Sequence, residues 1–256
     1  MCLIFLALNQ HPAYKLIVAA NRDEFYARKT APAQFWEDYP HILGGLDLEA
    51  SGTWMAMNRN GKISLVTNYR DPANINPNAP SRGQLVSDFL VNGDTPEEYL
   101  NKVSHRAAQY NGFNLLTGYP DELWYFSNYG QGIQRLESGI YGLSNHLLDT
   151  PWPKVHRGKE KFGSAIGYSV IEPDTLFELL YDEQRAEDQL LPNTGIGLDR
   201  ERALSSMFIK TNGYGTRCST VILVSHDNQV LFSERVYDLD TFAHKTNRFQ
   251  FTISND

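Results

Sequence analysis

The sequence predicts an α+β fold in which stacked sheets lie between helical layers. Three observations carry that prediction. Strand-like and helix-like segments come in blocks, in the order β, α, β, α, β, as in folds that segregate sheets from helices. The strongest strand segments, "CLIFLAL" (2–8), "YKLIVAAN" (14–21) and "RCSTVILVS" (217–225), are almost wholly apolar. Such strands are covered on both faces. Neither an internal linker nor a repeat divides the chain, so residues 1–256 are expected to form a single domain.

The elements follow in order. "CLIFLAL" and "YKLIVAAN" flank the breaker-rich "NQHPA" and read as a hairpin. A long irregular segment, "EFYARKTAPAQFWEDYPHILGGLDLEASG", precedes a second hairpin at 53–70, where Asn60-Gly61 signals a type I′ turn. Ser81 caps a helix over "RGQLVSDFLVN". Thr95-Pro96-Glu97-Glu98 opens the next with a capping box and a proline at its first position. Short strands return between Phe113 and Asn145. A helical block spans about Trp152 to Ser206, with Asp174 as a cap. "RCSTVILVS", "QVLFSERVY" and "RFQFTI" close the chain as strands.

Composition narrows the function classes. Hydrophobic residues at 41% and charged residues at 21% are ordinary for a soluble globular protein. A net charge of −7 without any basic block argues against nucleic-acid and anionic-membrane partners. No apolar stretch approaches the ~20 residues that cross a bilayer. The opening strand lacks a basic leader and a cleavage site, and two cysteines make no disulfide framework. A cytoplasmic protein with reduced thiols is expected. Seven histidines without HExxH or a similar spacing give no metal site.

Chemistry is suggested first by Cys2. Once the initiator methionine is removed, thiol and α-amine share one residue, so nucleophile and base come together. The competing reading is a buried strand-end thiol. Counting across the first hairpin pairs residue 2 with residues 20 to 22, bringing Asn21 or Asp23 within reach of the Cys2 amine or thiol. A carboxylate there would orient the amine. Asn68 and Asn145 stand at strand exits, where an amide either donates to an oxyanion or shapes a turn. Arg217 enters a late strand and would clamp a carboxylate or phosphate, or pair with an acid of the fold. Cys218 reads as core, facing away from Arg217. His146, beside Asn145, is the histidine placed to face a pocket. Asn21, Arg22, Arg217 and His146 are thus the substrate-binding candidates.

Met1-Cys2 followed by "AANRDEF", "GGLDLEASGTW", "LVTNYRDP", "SRGQLV", "LSNHLLDTPWPKV" and "YGTRCSTVILV" resembles the NRDE-motif family, also called the transport and Golgi organisation protein two family. The resemblance spans nearly the whole chain. It implies a four-layer α-β-β-α sandwich of N-terminal-nucleophile hydrolase type. By similarity to the choloylglycine hydrolase and penicillin V acylase group, Cys2 becomes the nucleophile and Asp23 the amine-binding acid. Asn68 and Asn145 become oxyanion or amine-positioning amides, and Arg217 the late arginine. Those amidases carry an arginine one or two residues before the position of Asn21, where this chain has Ala19 and Ala20. Arg22 is then out of phase and is expected on the other side of the strand. Two functions follow. One is a cofactor-free amidohydrolase acting on a small amide. The other, from family links to haem trafficking and to acyl-coenzyme A or lipid metabolism, is a non-catalytic carrier with haem or an acyl compound as its ligand.

Overall fold

The computed structural model describes residues 2–254. β1 (Cys2–Leu8) and β2 (Tyr14–Phe25) form the expected hairpin. Every residue of β1 is buried, because it packs on both faces: Leu3, Phe5 and Ala7 toward helices, Ile4, Leu6 and Leu8 toward a second sheet.

The segment read as irregular holds two strands, β3 (Thr30–Phe35) and β4 (Ile42–Asp47). Their composition conceals them. Pro32 sits where the β3–β4 register shifts, on a sheet edge that tolerates a missing donor. Gly44 in β4 lies so close to β5 (Met55–Asn58) that a Cβ there would meet the Ala56 Cβ at 2.5 Å. β5 pairs with β6 (Ile63–Asn68) as expected, but the turn is not type I′. Of Asn60 and Gly61, only Gly61 has a positive φ. Instead the Asn58 Oδ1 accepts from the backbone N–H of Asn60 (3.0 Å) and Lys62 (2.9 Å), so a side chain organises a longer turn.

α1 (Gly83–Val91) starts one residue later than the Ser81 cap implies, although the Ser81 Oγ still accepts from the Gly83 N–H at 3.3 Å. α2 (Pro96–Arg106) carries the predicted capping box, Thr95 with Glu98. β7 (Phe113–Tyr119), β8 (Glu122–Ser127), β9 (Gln134–Arg135) and β10 (Gly139–Leu143) are the short strands expected. The helical block resolves into α3 (Pro153–Ala165), α4 (Pro173–Leu180) and α5 (Leu198–Ala203). Asp174 caps nothing: Glu172 holds the cap position of α4, and the Asp174 carboxylate turns outward to Arg235 and Arg248. β11 (Lys210–Thr211), β12 (Tyr214–Ser225), β13 (Gln229–Tyr237) and β14 (His244–Thr252) complete the chain.

Two antiparallel sheets result. One runs β10-β1-β2-β12-β13-β14, with β11 on β12; the other runs β3 through β9 in chain order. Their facing sides share one apolar core. A second core joins β1, β2 and β12 to α3 and α4, and a third joins β5 to β8 with α1 and α2. The layers are therefore α-β-β-α, as the resemblance implies.

Candidate functional site

Strand order places Cys2 beside the middle of its sheet. Cys2 pairs with Arg22 on β2, and Arg22 pairs with Cys218 on β12. Residues directly opposite in an antiparallel pair project to the same face, so the three form a row pointing toward the other sheet. There they border a cavity of about 460 Å³. Its far wall comes from Asp47, Asn68 and Arg82, at the ends of β4 and β6 and the start of α1.

The candidates separate in this geometry. Arg22 shares the face of Cys2 and lines the same cavity, which corrects the expectation that it turns away. Asn21 faces the helices. Its Nδ2 donates to the carbonyls of Leu180 (2.9 Å) and Met207 (3.0 Å), and its Oδ1 accepts from Ser219. Asn21 thus ties the sheet to the helical layer rather than meeting a ligand. Asp23 borders the cavity, is almost wholly buried, and accepts from the Thr216 Oγ1 at 2.7 Å.

Asn145 lies two residues past the end of β10 and is not among the residues lining the cavity. The neighbouring Ser144 Oγ donates to the Cys2 carbonyl at 3.4 Å. The Asn145 Nδ2 donates to the Asn68 carbonyl at 3.2 Å, joining the two asparagines. Arg217 lines the cavity while its Nη1 grips the carbonyls of Phe25, Tyr26 and Arg28. Cys218 lines it as well, because β12 is irregular between Thr216 and Cys218. The premise of a regular strand fails there. His146 is elsewhere, bonded to the Tyr69 hydroxyl and the Thr150 hydroxyl at 2.8 Å each.

Two residues of this region escape a sequence reading. Arg82 reaches the cavity from the foot of α1, with one nitrogen on the Gly112 carbonyl; "SRGQ" gave only a helix start. Lys154, in the first turn of α3, is enclosed rather than solvated. No pattern marks a lysine at a helix start as buried.

Electrostatics oppose spontaneous thiolate formation. Burial pushes the Cys2 thiol up, the Asp23 and Glu24 charges add to this, and Arg22 opposes it. Burial likewise raises the Asp23 carboxyl, against the pull of Lys154 and the Thr216 hydrogen bond.

Asp47 behaves differently. Burial raises its carboxyl, but the Arg28 hydrogen bonds, the backbone N–H groups of Glu49 and Ala50 and the Arg28 charge together leave it below the ordinary value. A folded-state value below the unfolded one stabilises fully above the unfolded value of about 3.9 and less as pH falls through the folded one. The melting-temperature gap between the parent chain and Asp47→Asn is therefore expected to close as pH falls from about 6 to about 2. Calorimetry across that range checks it, and a constant gap would remove Asp47 from the cavity wall's acid response.

The layered sheets and the N-terminal strand ending at a cavity define the N-terminal-nucleophile hydrolase fold. Among solved structures, the chain is similar to the Caenorhabditis elegans N-acylethanolamine-hydrolyzing acid amidase ortholog. The TM-score is 0.50 at 11% identity, covering 87% of this chain and 92% of that one, a likeness of fold. The family model described as Transport and Golgi organisation 2 matches residues 1–239. The chain is 39% identical to the mouse Transport and Golgi organization 2 homolog and to its human counterpart, each along the full length of both chains. It belongs to the Transport and Golgi organisation 2 family.

Proposed function

We propose that the chain is an N-terminal-nucleophile amidohydrolase whose nucleophile is Cys2. One observation carries this reading: Cys2 stands on the cavity wall in register with Arg22, with Asp23 and Asn68 bordering the same space. Removal of Met1 frees the α-amine of Cys2. That amine would accept the thiol proton, offsetting the burial that otherwise holds the thiol protonated. Sulfur then bonds to the amide carbonyl carbon, and the carbonyl π electrons move to oxygen. Asn68 donates to that oxyanion; its side chain makes no hydrogen bond of its own among the described residues. The tetrahedral centre collapses, the C–N bond breaks, and the amine of Cys2 returns its proton to the leaving nitrogen. Water hydrolyses the thioester and regenerates the thiol. Asp23, on the helical side of the strand pair, would hold the amine as an ammonium.

Ligand class follows from charge. Arg82 and Arg217 make no ion pair among the described residues, and Arg22 has only Glu24 at 3.9 Å. The lining also carries Asp23, Glu24, Asp47 and Glu234; Arg28 holds Asp47, and we infer that the other three guanidinium groups favour a ligand bearing a carboxylate or phosphate. The same cluster supports a second reading, a carrier that binds an anionic acyl compound without turnover. Haem fits less well. Among the described residues no histidine lines the cavity, and burial raises both Cys2 and Cys218 away from the thiolate that iron takes as a ligand. We place the protein in the cytoplasm on the strength of its two free thiols.

Intact-mass analysis of native protein, before and after a thiol-reactive acyl probe, tests processing and reactivity together. The expected result is a chain lacking Met1 that gains one acyl group, with no gain in Cys2→Ala. Retained Met1, or undiminished acylation in Cys2→Ala, rejects the hydrolase. A saturable Soret shift on haem titration, lost in Cys2→Ala, would instead favour a haem carrier.

A further inference from the structure

Thr216 is a buried hydroxyl to which the catalytic reading gives no role. It lies on β12 directly opposite Asp23 of β2 and is wholly buried. Residues so paired project to the same face of a sheet. The Thr216 Oγ1 accepts from the backbone N–H of Ile209 at 2.9 Å and donates to the Asp23 Oδ1 at 2.7 Å. Valine would suit a buried strand equally well without the hydroxyl, so a threonine here calls for a hydrogen-bonding role.

Valence fixes the direction of this relay. A hydroxyl has one proton and two lone pairs. The Ile209 N–H can only donate, so it takes a lone pair and leaves the proton to Asp23. The far end of the relay is anchored as well. The Thr216 N–H donates to the Ile209 carbonyl at 2.8 Å, so main chain and side chain hold residue 209 together. Two residues earlier, the Met207 carbonyl accepts from the Asn21 Nδ2 at 3.0 Å. The 207–209 segment is thus tied to β12 opposite Asp23 and to β2 two residues before it.

Other groups act on Asp23 too. Burial raises its carboxyl, Lys154 of α3 and the chain's amino terminus lower it, and Glu24 raises it. Cys2, Arg70, Tyr26 and Tyr214 also feel its charge. Charges act on a carboxylate at whatever angle it adopts. A hydrogen bond is directional, and the one from Thr216 fixes which oxygen turns to β12.

We propose that Thr216 is a positioning residue of the Cys2 site: oriented by the Ile209 amide, its hydroxyl holds one oxygen of Asp23 and so sets the carboxylate for the Cys2 amine. The role rests on the reading of Cys2 as nucleophile and Asp23 as the group that holds its amine. Thr216 touches no reacting atom in this scheme and acts only through Asp23. Its bond is stronger to a carboxylate than to a neutral acid, so it also favours the ionised form that binds an ammonium.

The test follows the carboxyl carbon of Asp23 by NMR in the full-length chain labelled at aspartate, its signal assigned by loss in Asp23→Asn. In Thr216→Val the Asp23 midpoint should rise by about one unit, and Thr216→Ser, which keeps the hydroxyl, should restore it. Thr216→Cys, a weak donor, serves as the second variant should the valine form fail to fold. In parallel, the rate of Cys2 alkylation by iodoacetamide is read against pH by mass spectrometry of the Cys2 peptide. The rate should fall off at a higher pH in Thr216→Val, displaced by the same interval as the Asp23 midpoint, while Thr216→Ser overlays the parent. In an Asp23→Asn background Thr216→Val should make no further difference. A lower melting temperature with both pH curves unmoved makes Thr216 a structural tie only and overturns the proposal, as does a midpoint that moves while the alkylation profile does not. A Cys2 inert in the parent at every pH rejects the nucleophile itself, and the positioning role with it.

Discussion

Glu201→Ala is expected to destabilise the fold by about 3–5 kcal/mol, because it strands a buried guanidinium. The Arg70 Nη1 donates to the Glu201 Oε2 at 2.8 Å, and both side chains are nearly excluded from water. Arginine cannot shed its proton to escape the loss. The stacking of Arg70 over Trp152, 4.8 Å from the ring centre, is too weak a substitute. Alanine also removes the acceptor for the Thr194 N–H and hydroxyl. Glu201→Gln keeps the shape and an acceptor, so a smaller loss is expected. Arg70 further reaches the Asn145 Oδ1 at 3.5 Å, and Asn145 holds the Asn68 carbonyl. The damage should therefore spread to the cavity. Urea unfolding measures the first effect and hydrogen exchange at residues 68 and 145 the second; a loss under 1 kcal/mol would show the pair to be dispensable.

Gly158→Ala sets two effects against each other. Alanine in a helix interior is worth about 1 kcal/mol over glycine. Here its Cβ would lie 2.0 Å from the Phe5 Cζ and 2.7 Å from the Cε1. Phe5 is fully buried and its ring stacks on Phe162 at 5.9 Å, so it cannot swing aside without disturbing the core between β1 and α3. Overpacking costs about 1–3 kcal/mol, and so close a contact belongs at the upper end. The clash should win, and Gly158→Leu should yield no folded protein. Trimming the ring in Phe5→Leu should recover part of the loss in Gly158→Ala. Stabilisation by Gly158→Ala alone would show that helix and sheet separate more readily than this packing implies.

How much of this was legible in the sequence depended on what each residue had to signal. "CLIFLAL", "YKLIVAAN" and "RCSTVILVS" announced themselves because strands buried on both faces need apolar residues throughout. β3 and β4 did not, since Pro32 and Gly44-Gly45 read as breakers until the edge position and the close approach of β5 are known. Hairpin counting sets Cys2 opposite residues 20 to 22, a span whose last member, Arg22, is the partner found, yet the side of Arg22 follows from the register and not from a family alignment. Asn21 and Asp23 looked equivalent as partners of Cys2. Only the packing of α4 and the Met207 loop shows that Asn21 is committed elsewhere. Asp174, expected as a cap, is an exposed ion-pair partner, and Lys154, which no pattern singles out, is enclosed. Local sequence carries periodicity and turn chemistry well. It carries poorly what a distant element lays over a side chain.

The row Cys2, Arg22, Cys218 has a consequence for oxidative stress. Two strand spacings, about 10 Å, separate the outer members, beyond the span that a cystine bridge accepts without backbone movement. The pair therefore offers no internal lock against peroxide. Each sulfur would meet oxidant singly, and capping by glutathione or conversion to a sulfenic acid would remain reversible by cellular reductants.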